Sequence, residues 1–459
     1  MSCARAARLA LIALLALACR SATVDRTIAQ RLDALLSDLN RRGLFDGAVV
    51  VGDADHVIWQ KGFGSANAER AVPFTPDTPS DGASLAKTLT ATLVLMLEAE
   101  GKLDLDAPAQ ALLPELPYAD ITLRHLLSHS SGLPVLDYDF FDPYLPSDQL
   151  RSTEALLGVL HAQKPALASR PGTAFEYSSF GYDLAALAAA RAAKMPFHQL
   201  LDERIFRPLG IKSAFVRPGR LLDFPEPRTL GYRRADGKLV RNEVFDFEAF
   251  HGGSNVYISA SDLHRWNVSF IQNKLLAAGT SAAAHDYAIV NGQQSGLTLG
   301  NWYRTPDGSA YWYSGHLQGF HSEVFRDVAH KQSIVYTSNN TIDSWLQKSL
   351  VRAMHAIVAG RDPGRVEAPA VDDLQKDERP SLAGKWRMSD GSTRTIDNAA
   401  GYLRFMHNGV GYRMVQVKKN MFYVPGLDPV IGFVKGPDGA FARIVVASNV
   451  DELWGSRGQ

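Results

Sequence analysis

From Leu85 to Leu97 the chain carries a run in which Leu85, Leu89, Leu93, Leu95, Met96 and Leu97 leave little polar face before Gly101. A helix that is apolar nearly all round is stable only when neighbouring elements cover it, so this one belongs at the centre of a domain. Ser84 and Lys87 open the run, and Lys87 is the only lysine in the chain with a serine three residues before it. Residues three apart occupy neighbouring positions on a helix, about 5–6 Å apart at Cβ. An amine so placed can take the serine proton, provided burial or a nearby cation favours its neutral form. Ser and Lys are both common, so the spacing alone is compatible with chance, and the rest of the chain must decide.

Two further stretches bear on that decision: Pro171-Gly172-Thr173-Ala174-Phe175-Glu176-Tyr177-Ser178-Ser179-Phe180-Gly181-Tyr182 and Trp312-Tyr313-Ser314-Gly315-His316-Leu317-Gln318-Gly319-Phe320. Together with the Ser-x-x-Lys pair they resemble the three motifs of the penicillin-recognising serine enzymes, in particular class C β-lactamases, family VIII esterases and D-amino-acid peptidases. The resemblance runs from about Asp25 to Gly360. Supporting stretches in the same order are Leu126 to Leu133, Pro208-Leu209-Gly210-Ile211, and Gly252-Gly253-Ser254 through Ser261-Asp262-Leu263.

The resemblance implies a serine hydrolase working through an acyl-enzyme. Ser84 is the nucleophile, Lys87 its base, and Tyr177 the tyrosine of a Tyr-x-Asn element that shuttles the proton to the leaving group. Whether Lys87 or Tyr177 is the working base stays open at this level. The oxyanion hole would combine the Ser84 N–H, at a helix N-terminus, with the backbone N–H of His316 on the third-motif strand. Ser179, Tyr313, Ser314 and Gly315 complete the expected substrate-binding set. Two departures stand out. Ser179 replaces the usual Asn, and Tyr313 stands where penicillin-binding enzymes carry Lys and many esterases His. Tyr313 offers a hydroxyl but no positive charge, so neutral esters or small amides are expected over carboxylate-bearing β-lactams and D-Ala-D-Ala peptides. A D-stereospecific peptidase, a DD-carboxypeptidase or a β-lactamase is the enzymatic alternative. A penicillin-binding-type sensory or binding module is the non-enzymatic one, disfavoured because Ser84, Lys87 and Tyr177 are all present.

The first residues are not fold. Arg5 and Arg8 precede the apolar run Leu9 to Ala18, which is too short for an ordinary transmembrane helix and reads as a signal peptide over residues 1–18. Ala18-Cys19 resembles a lipoprotein cleavage site, with Cys19 the acylated residue, so an exported, periplasmic and membrane-anchored protein is expected. Ordinary cleavage after Ala18 is the alternative. The only cysteines are Cys3 and Cys19, so the mature chain holds no intramolecular disulfide and its stability must come from core burial.

Periodicity supplies the architecture. Ile28, Leu32, Leu35, Leu36 and Leu39 recur at helical spacing, and Ala48–Val51 and Val57–Trp59 flank a short polar loop as a β-hairpin. The pattern from Thr122 to about Ala282 is mostly helical. Strand-like runs return at Ser309–Tyr313, Ser322–Arg326 and Ser333–Thr337, and a closing helix carries Ile342 to Ile357. Strands from both ends should therefore build one antiparallel sheet around a helical insertion. This is an α/β (α+β) arrangement matching the β-lactamase/transpeptidase-like fold that the resemblance implies. Residues 19–27 read as a tether, 28–361 as the hydrolase domain and 362–381, rich in Pro, Asp and Glu, as a linker. Residues 382–459 show short strand signals between Gly and Asn turns, expected to form a small sheet or barrel without a catalytic cluster of its own.

Other chemistries find less support. No serine sits in a Gly-x-Ser-x-Gly pattern. His125 and His129 stand at i, i+4, but without the adjacent Glu or a third ligand of a zinc site, so no metal or other cofactor is expected and a packed helix end is the better reading. Lysine plus arginine balance aspartate plus glutamate at 48 each, and no basic stripe suggests a nucleic-acid partner. The expected partner is a small-molecule ester, amide or peptide substrate. The oligomeric state is not legible.

Overall fold

The computed structural model describes residues 25–458 apart from 135–139, 141, 146–150, 221–222, 236–237, 244–247, 341, 365 and 400. The expected signal segment and Cys19 lie outside the described residues. Among those residues no helix is long and apolar enough to cross a membrane.

Strands from both ends of the chain do share one antiparallel sheet. Its order is Tyr303–Arg304, Ala310–Leu317, Phe320–Asp327, Gln332–Ser338, Gly47–Asp53 and Val57–Phe63. Every residue from Gly47 to Gly52 is buried, because helices cover both faces. The register sorts the side chains. Val49 lies opposite Tyr336, Tyr336 opposite Glu323, and Glu323 opposite Ser314, so these four share one face. Helix Ser344–Val358 packs there, its Lys348 reaching Ser314. The alternate row Val50, Val335, Val324 and Tyr313 occupies the other face. That face carries helix Ala260–Ile271, whose Asn267 bonds Ser333 and the Phe325 carbonyl.

The apolar run forms helix Ala86–Ala99, buried over nearly its whole length. Gly101, in the left-handed region at φ 68°, ends it. The insertion is chiefly helical, as the pattern predicts, but it also contains short strands too brief to show a period. One is Val256–Ile258, which pairs with Ser80–Asp81 just before the nucleophile.

Residues from Gly384 onward form a nine-stranded antiparallel sheet. Its end strands, Val410–Arg413 and Val415–Lys418, follow one another with only Met414 between them. That corner nearly closes the sheet into a barrel, around Trp386, Phe405, Phe422 and Phe433. The preceding segment is not a bare linker: Val366 and Leu374 are buried, and the Glu367 carbonyl accepts from the Trp345 indole at 3.0 Å.

Candidate active site

Ser84 sits in a tight 3-10 turn, Ala83–Leu85, that feeds straight into the central helix. Ala83 adopts φ 49°, a left-handed conformation that costs an ordinary L residue roughly 1–2 kcal/mol. The surroundings hold it there. Asp81 accepts the Ala83 N–H at 2.7 Å, Val256 accepts the Gly82 N–H at 2.9 Å, and the Ser322 hydroxyl donates to the Gly82 carbonyl at 2.6 Å. Burial pushes Asp81 up to about 6, against the opposing pull of the Ala83 N–H.

Lys87, one turn on, is fully buried. Its Nζ lies 3.1 Å from Ser84 Oγ, 3.1 Å from Ser179 Oγ and 2.6 Å from the Gly253 carbonyl. Three acceptors match the three hydrogens of an ammonium. A neutral amine keeps the Gly253 and Ser179 bonds and turns its lone pair to the Ser84 hydroxyl, which is the arrangement for removing its proton. The Gly253 peptide is held from its other side by Asp183, which accepts its N–H at 2.7 Å. Burial raises Asp183 to about 6, opposed by that N–H and by the charge on Lys87. Gly253 has to be glycine here, because a Cβ would lie 2.6 Å from the Ser179 carbonyl.

Tyr177 lies in the extended segment before helix Ser179–Ala193, whose N-cap Ser178 accepts the Gly181 N–H. Lys87 Nζ stands 4.9 Å from the centre of the Tyr177 ring, within cation–π range. The phenol itself does not bond Ser84 or Lys87 but the Tyr313 hydroxyl, at 3.1 Å. Such contacts often tighten only with substrate bound. Burial first, and Tyr177 second, hold Tyr313 well above the usual tyrosine range, so it stays a neutral phenol.

The third motif supplies the opposite wall. Tyr313 and Gly315 face the nucleophile. A Cβ on Gly315 would stand 2.1 Å from the Gly82 carbonyl and 3.1 Å from Ser84 N, so only glycine allows this approach. Pairing with Tyr303–Arg304 reaches only Trp312. Beyond it the outer edge of the strand has no strand partner among the described residues, which leaves backbone N–H groups for a ligand, that of His316 being the expected one. Two side chains of the motif point to the far face. The His316 ring crosses to the far face and meets Gln347 and His321, as strand alternation requires. Ser314 shares that parity. Its hydroxyl bonds Glu323 at 2.7 Å on the far face, so the expectation of a substrate contact from its side chain is corrected.

Sequence reasoning read His129 as part of a packed helix end and gave it no place in the site. It stacks on Tyr177 at 4.5 Å between ring centres and accepts the Ser178 N–H on Nδ1 at 3.1 Å. That leaves Nε2–H to donate to Asn301 Oδ1 at 3.3 Å. Burial, then the charge on Lys87, lowers His129 to about 3, so it acts as a neutral spacer behind Tyr177. Its signal was the Leu126–Leu133 stretch. His125 closes the capping box with Thr122. The Arg304 guanidinium is turned to the carbonyls of His285 and Thr305.

A cleft of about 320 Å³ opens beside Tyr177, lined by Phe175 and Glu176 on one side and by Arg413, Val415 and Pro425 of the barrel on the other. The barrel therefore contributes a wall next to a predicted catalytic residue.

Comparison with known proteins fits this geometry. Penicillin-binding protein 4* of Bacillus subtilis is 24% identical over 446 residues, covering 92% of this chain and 97% of that protein. Esterase EstB of Burkholderia gladioli is 28% identical over 315 residues, 60% of this chain and 79% of that protein. The octameric penicillin-binding protein homologue from Pyrococcus abyssi superposes with a TM-score of 0.62 at 20% identity, over 93% of this chain and 99% of that one, and shares the fold. The Beta-lactamase family model matches residues 24–358, and the chain belongs to that family of serine hydrolases.

Proposed function

We propose that this protein is an exported hydrolase that forms an acyl-enzyme on Ser84, with neutral carboxylic esters or small amides as substrates. The observation that carries the reading is the buried Lys87 amine 3.1 Å from Ser84 Oγ. Its hydrogen-bond partners are two hydroxyls and a peptide carbonyl, with no carboxylate among them. Ser84 Oγ attacks the carbonyl carbon and its proton passes to the neutral Lys87 amine. The C–O or C–N bond of the tetrahedral intermediate then breaks, and the leaving group departs with a proton delivered through the Lys87–Tyr177 side of the site. Water, deprotonated by the same side, releases the acid. Ser84→Ala should abolish turnover of nitrophenyl butyrate, and Lys87→Ala should lower it by about 10²–10⁴, the range for a lost general base. Wild-type turnover in Ser84→Ala would refute the assignment. Labelling by a fluorophosphonate probe separates this reading from a non-enzymatic binding module.

A second reading has one observation in its favour. Arg413 lines the cleft beside Tyr177 and offers the positive charge that Tyr313 lacks, which suits a β-lactamase or a D-stereospecific peptidase acting on carboxylate-bearing substrates. Comparing nitrocefin and D-amino-acid amides with nitrophenyl esters decides between the two. The export signal and the Cys19 anchor complete the proposal, placing the enzyme on the periplasmic side of a bacterial membrane.

A further inference from the structure

The far face of the third-motif strand carries a polar cluster that the reaction does not use. Lys348, Glu323, Asp428 and Asn449 are all 0% exposed. Lys348 Nζ lies 2.6 Å from Asp428 Oδ2 and 3.2 Å from Ser314 Oγ. Asp428 Oδ2 also accepts the Trp312 indole N–H at 2.7 Å, and Oδ1 lies 3.3 Å from Ser314 Oγ. Glu323 bonds Ser314 at 2.7 Å and accepts from Asn449 Nδ2 at 2.7 Å. Burial raises Glu323 above the usual carboxylate range, and Lys348 and Asp428 form the ion pair of the cluster.

Asp428 and Asn449 come from the barrel, Trp312 and Ser314 from the strand Ala310–Leu317. Trp312 and Ser314 bracket Tyr313, whose hydroxyl meets Tyr177, and Ser314 adjoins Gly315, which abuts the nucleophile turn. The loop that carries Asp428 also grips the second motif. Gly426 is so close to Phe175 that a Cβ would lie 2.3 Å from its ring, and its N–H donates to the Tyr303 hydroxyl at 3.3 Å. The Tyr303 ring in turn stacks on Tyr313 at 5.3 Å.

We propose that Asp428 is a positioning residue for acyl transfer: through Trp312 and Ser314 the barrel clamps the third-motif strand from behind and sets the distance between its backbone and Ser84. The barrel is then a working part of the active site rather than an appendage. Removing Asp428 alone leaves Lys348 buried and unpaired, which destabilises as well as displaces, so the test needs a charge-free partner variant. Asp428→Asn in the full chain should lower kcat for nitrophenyl butyrate about 10- to 100-fold with KM within about threefold, the cost of a misplacement near 1 Å. Combining Lys348→Met with Asp428→Leu removes both charges and keeps the volume filled. That pair should recover the wild-type thermal midpoint while kcat stays at least about tenfold low. Wild-type kcat in the charge-free pair would overturn the proposal and reduce the cluster to a docking plug. Should that pair not fold, Trp312→Phe with Ser314→Ala leaves Lys348 and Asp428 paired, and wild-type kcat there overturns the proposal equally. The inference rests on the acyl-transfer reading. Ser84→Ala measured alongside separates the two: activity surviving in it fails the acyl-transfer reading and the inference with it, whereas wild-type kcat in the charge-free pair beside an inactive Ser84→Ala fails the inference alone.

Discussion

Gly315→Ala tests the geometry of the site with the smallest perturbation available. The added Cβ would fall 2.1 Å from the Gly82 carbonyl oxygen, where ordinary contact begins near 3.4 Å, so strand and nucleophile turn must separate by about 1.3 Å. Neither partner yields easily. The Gly82 carbonyl is fixed by Ser322 and by the Leu85 N–H, and the strand is tied to Phe320–Asp327 along its length. The separation moves the Ser84 N–H and the strand N–H groups apart, so an oxyanion cannot accept from both at 2.7–3.1 Å. Losing one such donor costs about 10²–10³ in kcat, or roughly 2.7–4 kcal/mol of transition-state stabilisation. Steady-state hydrolysis of nitrophenyl butyrate gives kcat and KM, and a thermal melt confirms that the variant folds. A folded Gly315→Ala enzyme with kcat within about twofold of wild type would refute the placement of the oxyanion hole between Ser84 and the third motif.

Other expectations follow from single features. With Tyr313 in place of a cation, nitrocefin should be a poorer substrate than nitrophenyl butyrate. A charge-assisted bond is worth about 1.5–3 kcal/mol, or roughly 10- to 200-fold, and comparable kcat/KM values would hand the role to Arg413. If Cys19 is acylated, the exported protein incorporates radiolabelled palmitate in a globomycin-sensitive manner, whereas unlabelled soluble protein would support plain cleavage after Ala18. Asp183 has a folded value of about 6 against an ordinary 3.8. The native state therefore holds an extra proton between those values, and this group's contribution to stability falls as pH rises through them. Asp183→Asn keeps the acceptor for the Gly253 N–H and removes that dependence. Its thermal midpoint should gain on wild type between about pH 4 and about pH 7, and parallel curves would refute the burial argument.

The fold was legible where periodicity is strong. The all-round apolar run could only be a central helix, and the β-branched runs at both ends of the hydrolase domain read as strands by composition. The Ser84–Lys87 pair was legible because one helical turn brings the two side chains together. Ser314 could also have been placed. The alternation that sends the His316 ring to the far face applies to Ser314 by parity, and only the motif's reputation argued otherwise. The Lys348–Asp428 pair carries no local signal, since nothing in the sequence marks two charges 80 residues apart as partners. Likewise Val366 and Leu374 look like stray apolar residues in a Pro- and Asp-rich stretch until the barrel and the closing helix cover them. The barrel's role beside Tyr177 was hidden for the same reason, because Arg413 and Pro425 meet the second motif only through tertiary packing.

The acyl-enzyme itself is the most direct test of the account. Intact-mass measurement after rapid quenching of a nitrophenyl butyrate reaction should show the protein heavier by one butyryl group. Peptide mapping should place that group on Ser84, and it should be absent from Ser84→Ala. Full turnover with no covalent adduct, or an adduct on any other residue, would contradict Ser84 as the nucleophile.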